Sequence, residues 1–398
     1  EHTHLLGLLP GKRRMLIGVP LLLALPIPLF DAVIAHELGH YSGRDARFGP
    51  LTARARQGVI AALQAVAGSS KKGKRRYRWP GSDLYAIVFA AYANLVLSST
   101  FAASRRQEFA ADRFAASFAG RDNAAAALSE LPVVDASFDF YLARYVSAGL
   151  PLGLLPPPAE ILGGFGSMFH DAGRAQQFGA LRSAPPAEKP HRFDSHPPVT
   201  ERVAAILALA PDGRPRADGR QTAIGLLVRP EVPLSALALK MVGDKGAGKR
   251  AADWQTQAAA LGTASAQKDS AFLVDVVRLM IGRPARVADL LDLIDAGRMN
   301  EILAQFPRSE AVWKINATGR TAREFAKTSA TPMLRGWLML ELIGSGRAAF
   351  RHSWSSDSAE FVAGPRVIEE MQAGIDAVLA TMPSTARLRA ALETRTRV

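Results

Sequence analysis

Two histidines and a glutamate near the start of this 398-residue chain have the spacing of a metal-binding pair and a base. His36 and His40 are four residues apart, so on a helix both imidazoles lie on one face and can reach one metal ion. Glu37 points to the same region and can act as a base for a metal-bound water. Residues 32–35 are apolar, which favours a helix at a buried cleft over a surface helix with two histidines. The spacing predicts a zinc-dependent hydrolase with one Zn²⁺ per chain, and peptide hydrolysis is the leading expectation.

A catalytic zinc usually has three protein ligands and a water, so a third ligand is required. Ala46 stands where the metzincin pattern has its third histidine, which excludes that class. Glu108 and Asp112 are better candidates, because they lie four residues apart in an alanine-rich stretch that predicts a helix. One carboxylate can bind the metal while the other accepts a hydrogen bond from a ligand histidine and fixes its tautomer. The alternative is a solvated helix whose acidic side chains pair with neighbouring arginines.

Three segments together resemble peptidase family M48, the gluzincin group that includes the CAAX prenyl proteases and the HtpX-like membrane proteases. They are the motif at 36–40, the stretch 104–112 with the pattern SR-x-x-E-x-x-AD, and the stretch 194–202 with its His-Pro-Pro. The resemblance covers residues 10–210 and implies a zinc metalloendopeptidase. It implies Glu108 as the third ligand and Asp112 as the hydrogen-bond partner of a ligand histidine. It also implies that His196 and Arg202 lie near the substrate or the transition state.

From the residues alone, two roles stay open for both His196 and Arg202. His196 precedes two prolines, so it lies in a rigid extended or turn segment and can donate to a developing oxyanion, or it is a loop histidine without a role. Arg202 can stabilise the same oxyanion or serve as a structural ion-pair partner. In the catalytic hypothesis Glu37 takes a proton from water and passes it to the leaving amine, while His196 and Arg202 stabilise the oxyanion.

The composition indicates which partners the chain prefers. Cysteine is absent, which excludes disulfides and cysteine-ligated zinc. The net charge of +13 favours anionic membrane surfaces or nucleic acid. Because the basic run 71–79 adjoins the apolar segment 84–103, a membrane surface is the favoured partner, a merely solvated loop is the alternative, and nucleic acid is not expected.

The apolar segment 84–103 is uncharged and about as long as a bilayer span. His36, His40 and Glu108 must meet on one side of any membrane, so the chain between them must cross an even number of times. Only one stretch there is long enough to cross, so we expect a long buried or membrane-grazing helix. Membrane association is expected through this segment, through 71–79, or through helices that precede Glu1, with the catalytic site facing the cytoplasm.

Patterning along the chain predicts a mainly α fold of the α+β type with two domains. Residues 1–212 are expected to form a zincin-like metallopeptidase domain with a small edge-strand sheet, in which 14–23 is a buried strand beside the cleft. Residues 213–398 are expected to form a mainly helical accessory domain of unknown role. Its predicted elements are helices at 271–281, 287–296, 332–343 and 367–382 and a strand at 223–228.

The rival function is a non-catalytic module, either a zinc-stabilised scaffold or a chaperone-like binding protein at the membrane. A broken motif would indicate such a module, and every motif position is intact. The sequence therefore favours an endopeptidase that acts on peptide or protein substrates. It leaves the natural substrate and the oligomeric state open.

Overall fold

The computed structural model describes residues 15–42, 58–59, 61, 82–183, 197–214, 221–306 and 320–393. Backbone contacts divide the chain into two compact units. One unit comprises Glu1–Phe140 and Leu162–Leu234, and the other comprises Tyr141–Ile161 and Ser235–Val398. The described residues are mostly helical and include two small two-stranded sheets, which confirms the predicted fold class. The domain boundary between residues 212 and 213 stays a prediction.

Helices of 6 to 38 residues make up most of the described residues before 208. In chain order they are α1 (Val19–Ala24), α2 (Ile27–Ser42), α3 (Ser82–Ala119), α4 (Arg121–Tyr141), α5 (Pro158–Phe169), α6 (Ala175–Ser183) and α7 (Val199–Leu207). A π-helical turn at Leu142–Val146 follows α4, and short 3-10 segments lie at Leu150–Leu152, Ala172–Arg174 and Ala223–Leu226. The helix expected over 84–103 and the helix predicted around Glu108 and Asp112 are confirmed as one long helix, α3.

The later helices are α8 (Glu231–Val242), α9 (Trp254–Ile281), α10 (Val287–Asp295), α11 (Met299–Ala304), α12 (Arg320–Gly344), α13 (Pro365–Val378) and α14 (Ala386–Glu393), with a 3-10 segment at Gly243–Gly246. The strands are β1 (Leu154–Leu155), β2 (Arg250–Ala251), β3 (Ala348–Arg351) and β4 (Glu360–Ala363). All four helices predicted beyond residue 270 are confirmed and correspond to α9, α10, α12 and α13, although α13 ends at Val378, before the predicted end at residue 382.

Two predicted strands are wrong. The segment predicted as a buried strand at 14–23 overlaps the helix α1, which runs from Val19 to Ala24, and the segment at 223–228 contains a 3-10 turn. Pro20 lies in the first turn of α1, where its missing N–H and fixed φ suit a helix. Leu22 to Leu25 are all buried. A fully buried apolar run has no alternation, and such a run cannot distinguish a strand from a helix.

The first unit is organised by the packing of α2 against α3. A Cβ atom placed on Gly39 would lie 3.0 Å from the Cα atom of Ala111 and 3.3 Å from the Cβ atom of Phe114. The two backbones therefore approach closely because Gly39 has no side chain. The next residue in α2 is His40, so this contact fixes the distance between the histidine motif and α3.

A sharp corner joins α3 to α4. Gly120 is the single residue between the two helices, and its φ of +97° is one that glycine adopts without strain. The carboxylate of Asp212 accepts a hydrogen bond from the Arg121 backbone N–H at 3.0 Å. This bond anchors the start of α4 to the segment that follows α7. The corner thereby holds α4 beside the acidic face of α3.

The second unit has its own apolar core, which side chains of α9 to α14 form. Helices α9 and α12 pack closely, because a Cβ atom on Gly336 would lie 2.8 Å from the Ala266 carbonyl oxygen. Strands β3 and β4 pair antiparallel, with Ala348 opposite Ala363, and β1 pairs parallel with β2. This unit confirms the predicted helical character of the region beyond 235.

Within the described ranges, no helix is long and apolar enough to cross a membrane. The basic run 71–79 lies outside the described residues. Membrane association, whether through 84–103, through 71–79 or through preceding helices, and a site that faces the cytoplasm stay predictions.

Adding a branched side chain at Gly39 tests the close approach of α2 and α3. We expect Gly39→Val to lower the free energy of unfolding by about 1–3 kcal/mol, because the new methyl groups meet the backbone of Ala111. Gly163→Val is the matched control, since a Cβ atom on this exposed helical glycine meets nothing within 4 Å. Urea unfolding followed by circular dichroism measures both. Equal effects of the two substitutions would contradict the packing argument.

Candidate metal centre

Three helices of the first unit bring polar side chains to one point. Helix α2 contributes His36 and His40, one turn apart on the same face. Helix α3 contributes Glu108 and Asp112 at the same spacing, and both are almost fully buried. Helix α7 contributes Arg202, which is also buried. The i, i+4 spacing in α2 and α3 therefore makes two parallel rows of side chains that face each other.

The donor atoms of His36, His40 and Glu108 have the separations that one tetrahedral zinc requires. The two Nε2 atoms lie 3.2 Å apart, and the Glu108 carboxylate oxygens lie 3.5 Å from Nε2 of His36 and 3.7 Å from Nε2 of His40. Tetrahedral bonds of about 2.0–2.1 Å place neighbouring donor atoms about 3.3 Å apart. The three side chains together could therefore hold one metal ion, and two imidazoles with one carboxylate are a donor set that zinc accepts.

Asp112 orients the first histidine. Nδ1 of His36 lies 3.0 Å from a carboxylate oxygen of Asp112 and donates its proton to it. When Nδ1 carries the proton of a neutral imidazole, Nε2 has a free lone pair, and this is the atom that faces His40 and Glu108. Asp112 thus selects the tautomer in which His36 can act as a ligand.

Arg202 binds both carboxylates of α3. Its Nε and one terminal nitrogen donate to the two oxygens of Asp112 at 2.8 and 2.6 Å. The other terminal nitrogen lies 3.1 Å from Glu108. With 9% of the Arg202 side chain exposed, this is a buried bidentate pair, in which a charged hydrogen bond is stronger than at the surface. The contact holds α7 against α3 and keeps both carboxylates in place.

These charges set the protonation of the metal-free site. Burial lowers the pKa of His36, but hydrogen bonds to Asp112 and Glu108 outweigh it and raise this pKa to about 9. Burial has the largest influence on His40 and holds its pKa below the ordinary value. Burial raises the pKa of Asp112, but hydrogen bonds from Arg202 and His36 outweigh it and lower this pKa. A metal ion must therefore displace the proton that His36 carries at about pH 8.

An apolar cavity of about 280 Å³ opens beside these donor atoms. Glu37 is exposed and lines this cavity together with both histidines. Its carboxylate is thus available to a molecule that enters from solvent. A ligand site with a free carboxylate at its mouth has the parts needed for metal-assisted hydrolysis.

The structure brings together six of the seven residues that the sequence predicted for the site. They are His36, Glu37, His40, Glu108, Asp112 and Arg202. His196 lies outside the described residues, and its role stays a prediction. For Arg202 the structure provides the ion-pair partners that the sequence left open.

Sequence reasoning missed the contribution of α4. Ala124, Ala127 and Leu131 line the cavity on the side of α4 that faces the site. Their spacing of three and four residues is that of one helical face, so the pattern was visible in the sequence. Nothing in that pattern indicated which other helix the face would meet.

Comparison with protein families gives one match. A family model described as peptidase family M48 matches residues 5–210, which is just over half of the chain and contains every residue of the site. Searches of curated proteins and of solved structures returned no match.

Removing the cation of the buried pair tests how far the site depends on it. We expect Arg202→Ala to lower the free energy of unfolding by about 3–5 kcal/mol, because two buried carboxylates lose their partner. The control is Arg182→Ala, since Arg182 makes a bidentate pair with Glu130 but is 39% exposed. For this control the expected loss is below about 1 kcal/mol. Urea unfolding of both variants without metal measures these losses. Similar losses would contradict the argument that Arg202 holds the two carboxylates in place.

Proton release on metal binding tests the raised pKa of His36. At pH 8 the metal-free protein is expected to release about one proton from His36 when it binds Zn²⁺, because a group with a pKa near 9 is mostly protonated there. Asp112→Asn removes a carboxylate that raises this pKa, so fewer protons are released, whereas the exposed Asp139→Asn leaves the number unchanged. Calorimetry in buffers of different ionisation enthalpy counts the protons. The same count in all three proteins would show that Asp112 does not control His36.

The raised pKa also predicts the direction of a pH effect on the metal-free fold. A proton held more tightly in the folded state stabilises it fully below pH 6.5, and this stabilisation is lost as the pH rises through about 9.

Proposed function

Since the chain belongs to peptidase family M48, a family of metallopeptidases, we propose that it is a zinc-dependent endopeptidase. One observation carries the proposal. The donor atoms of His36, His40 and Glu108 lie 3.2–3.7 Å apart beside a cavity that Glu37 also lines. A zinc site that only stabilises a fold usually has four protein ligands and no open position. This site has three candidate ligands and opens to a cavity.

His36, His40 and Glu108 would hold the Zn²⁺ ion. When bound, the metal supplies a Lewis acid and lowers the pKa of a coordinated water. Glu37 takes a proton from the attacking water and delivers it to the leaving amine. Its place in α2, one residue after His36, keeps its carboxylate at the open side of the site, where substrate enters.

Arg202 acts in this proposal first as a positioning residue. It neutralises Asp112, so that Asp112 can orient His36, and it contacts the carboxylate of Glu108. A terminal nitrogen of Arg202 lies 3.4 Å from Nε2 of His36, so its positive charge is also close to where an oxyanion would develop. His196 is proposed as a second oxyanion donor on the sequence resemblance alone.

Replacing Glu37 by an amide of the same shape tests its role as the base. We expect Glu37→Gln to bind one Zn²⁺ as tightly as the parent and to lower kcat/KM for peptides by about 10²–10⁴-fold, because the amide cannot accept a proton. The exposed Glu160→Gln in α5 is the control and should leave both quantities unchanged. Metal analysis and peptide-library cleavage measure them.

The result also separates the enzyme from a non-catalytic module. Full cleavage by the zinc-loaded Glu37→Gln protein would contradict the role of Glu37. A parent protein that binds zinc and peptides but cleaves none of the library would instead favour the scaffold or chaperone-like alternative.

A further inference from the structure

The cavity beside the metal centre has walls of two kinds. The donor atoms and Glu37 form one end, and aliphatic side chains from four helices form the rest. Helix α2 contributes Ala32 and Val33, α3 contributes Ala115, and α7 contributes Ile206. Apart from Arg202 and the five acidic or histidine positions already described, the lining is aliphatic. The cavity is therefore a polar reaction site joined directly to an apolar chamber.

Helix α4 determines how large the chamber is. Ala124 and Ala127 are almost fully buried and lie on the face of α4 that lines the cavity. A methyl group is the smallest side chain that keeps such a face apolar, so these two positions leave the space empty. Ala126 is on another face of the same helix and does not line the cavity.

The volume suits one large apolar side chain. At about 30 Å³ per water, 280 Å³ corresponds to about nine water volumes. Water against aliphatic walls makes few hydrogen bonds, so an apolar group that displaces it gains free energy. Charged groups have little to bind among the aliphatic side chains, and burying one there is costly.

A wider groove lies beside the chamber. Its volume is about 770 Å³, and it shares Leu128, Leu131 and Arg202 with the chamber. The start of α1, the later part of α4 and the start of α7 form its walls, and most of its lining is apolar. A peptide whose side chain enters the chamber thus has a path along which its backbone can extend away from the metal centre.

We propose that the chamber receives a bulky aliphatic or aromatic side chain of a substrate residue that flanks the scissile bond, and that Ala127 sets the size of that side chain. The inference rests on the proposed endopeptidase function and adds the class of substrate. The chamber and the donor atoms belong to the same cavity. A substrate side chain in the chamber is therefore close to the donor atoms and belongs to a residue next to the bond that is cleaved.

Cleavage of a peptide library by the zinc-loaded protein tests the preference. The parent should select Leu, Ile, Met or Phe at one position beside the cut and reject Asp, Glu and Lys there. Ala127→Leu fills the chamber, so it should lower kcat/KM about 10–100-fold for a peptide with Phe at that position and leave a peptide with Ala there within about threefold. Ala126→Leu is the matched control and should behave as the parent. Leu131→Ala enlarges the chamber and should shift the preference towards Trp.

A second measurement follows the chamber without cleavage. Xenon binds in apolar cavities, so the ¹²⁹Xe resonance should show saturable binding to the parent and to Ala126→Leu but not to Ala127→Leu. Melting temperatures show whether each variant is folded. Equal losses for Phe and Ala peptides in Ala127→Leu, or a parent that accepts charged residues on both sides of the cut, would overturn the specificity and leave the endopeptidase in place. Xenon binding without cleavage of any peptide would overturn the endopeptidase and the substrate class together.

Discussion

The buried pairing of Arg202 with two carboxylates is the interaction on which the metal centre depends. Glu108 and Asp112 are one turn apart in α3, and like charges at that spacing repel, more strongly in a buried place than in water. Arg202 gives both a partner, through two hydrogen bonds to Asp112 and a 3.1 Å contact to Glu108. Together with the hydrogen bond from His36 to Asp112, this cation offsets the cost of burying the two carboxylates. Helix α7 is therefore part of the site, because it carries Arg202, whose charge lowers the cost of burying the two carboxylates of α3.

The remaining geometry follows from how closely α2 lies on α3. Gly39 sits between the motif glutamate and His40, and its missing side chain lets the α2 backbone come within contact of Ala111. This closeness puts Nε2 of His40 3.7 Å from Glu108. The motif thus has three positions whose side chains can take part in chemistry and a fourth, Gly39, whose small size allows the helices to pack closely. A larger residue at Gly39 would preserve every ligand and still move them apart.

Local signals in the sequence predicted which side chains of α2 and α3 lie together, since the spacing of His36 and His40 and of Glu108 and Asp112 has meaning only on a helix. The same logic predicted α3 and the helices beyond residue 270. It failed at 14–23, because a run of buried leucines carries no alternation that separates strand from helix. It left Arg202 undecided for another reason. Arg202 is 90 positions from Asp112, and its choice between an ion pair and a substrate contact depends on where α7 packs.

The alanines of α4 leave space that larger side chains could fill. Ala124 and Ala127 are buried in a helix whose other buried positions include Val133 and Val134. A leucine at either alanine would bury more apolar surface, which would stabilise the fold by about 1–3 kcal/mol. Departures from local packing rules are expected mainly at functional sites. Here the unfilled volume borders the candidate metal ligands and not a distant part of the core. Its position beside these reactive groups is an argument for substrate binding that adds to the one drawn from the histidine motif.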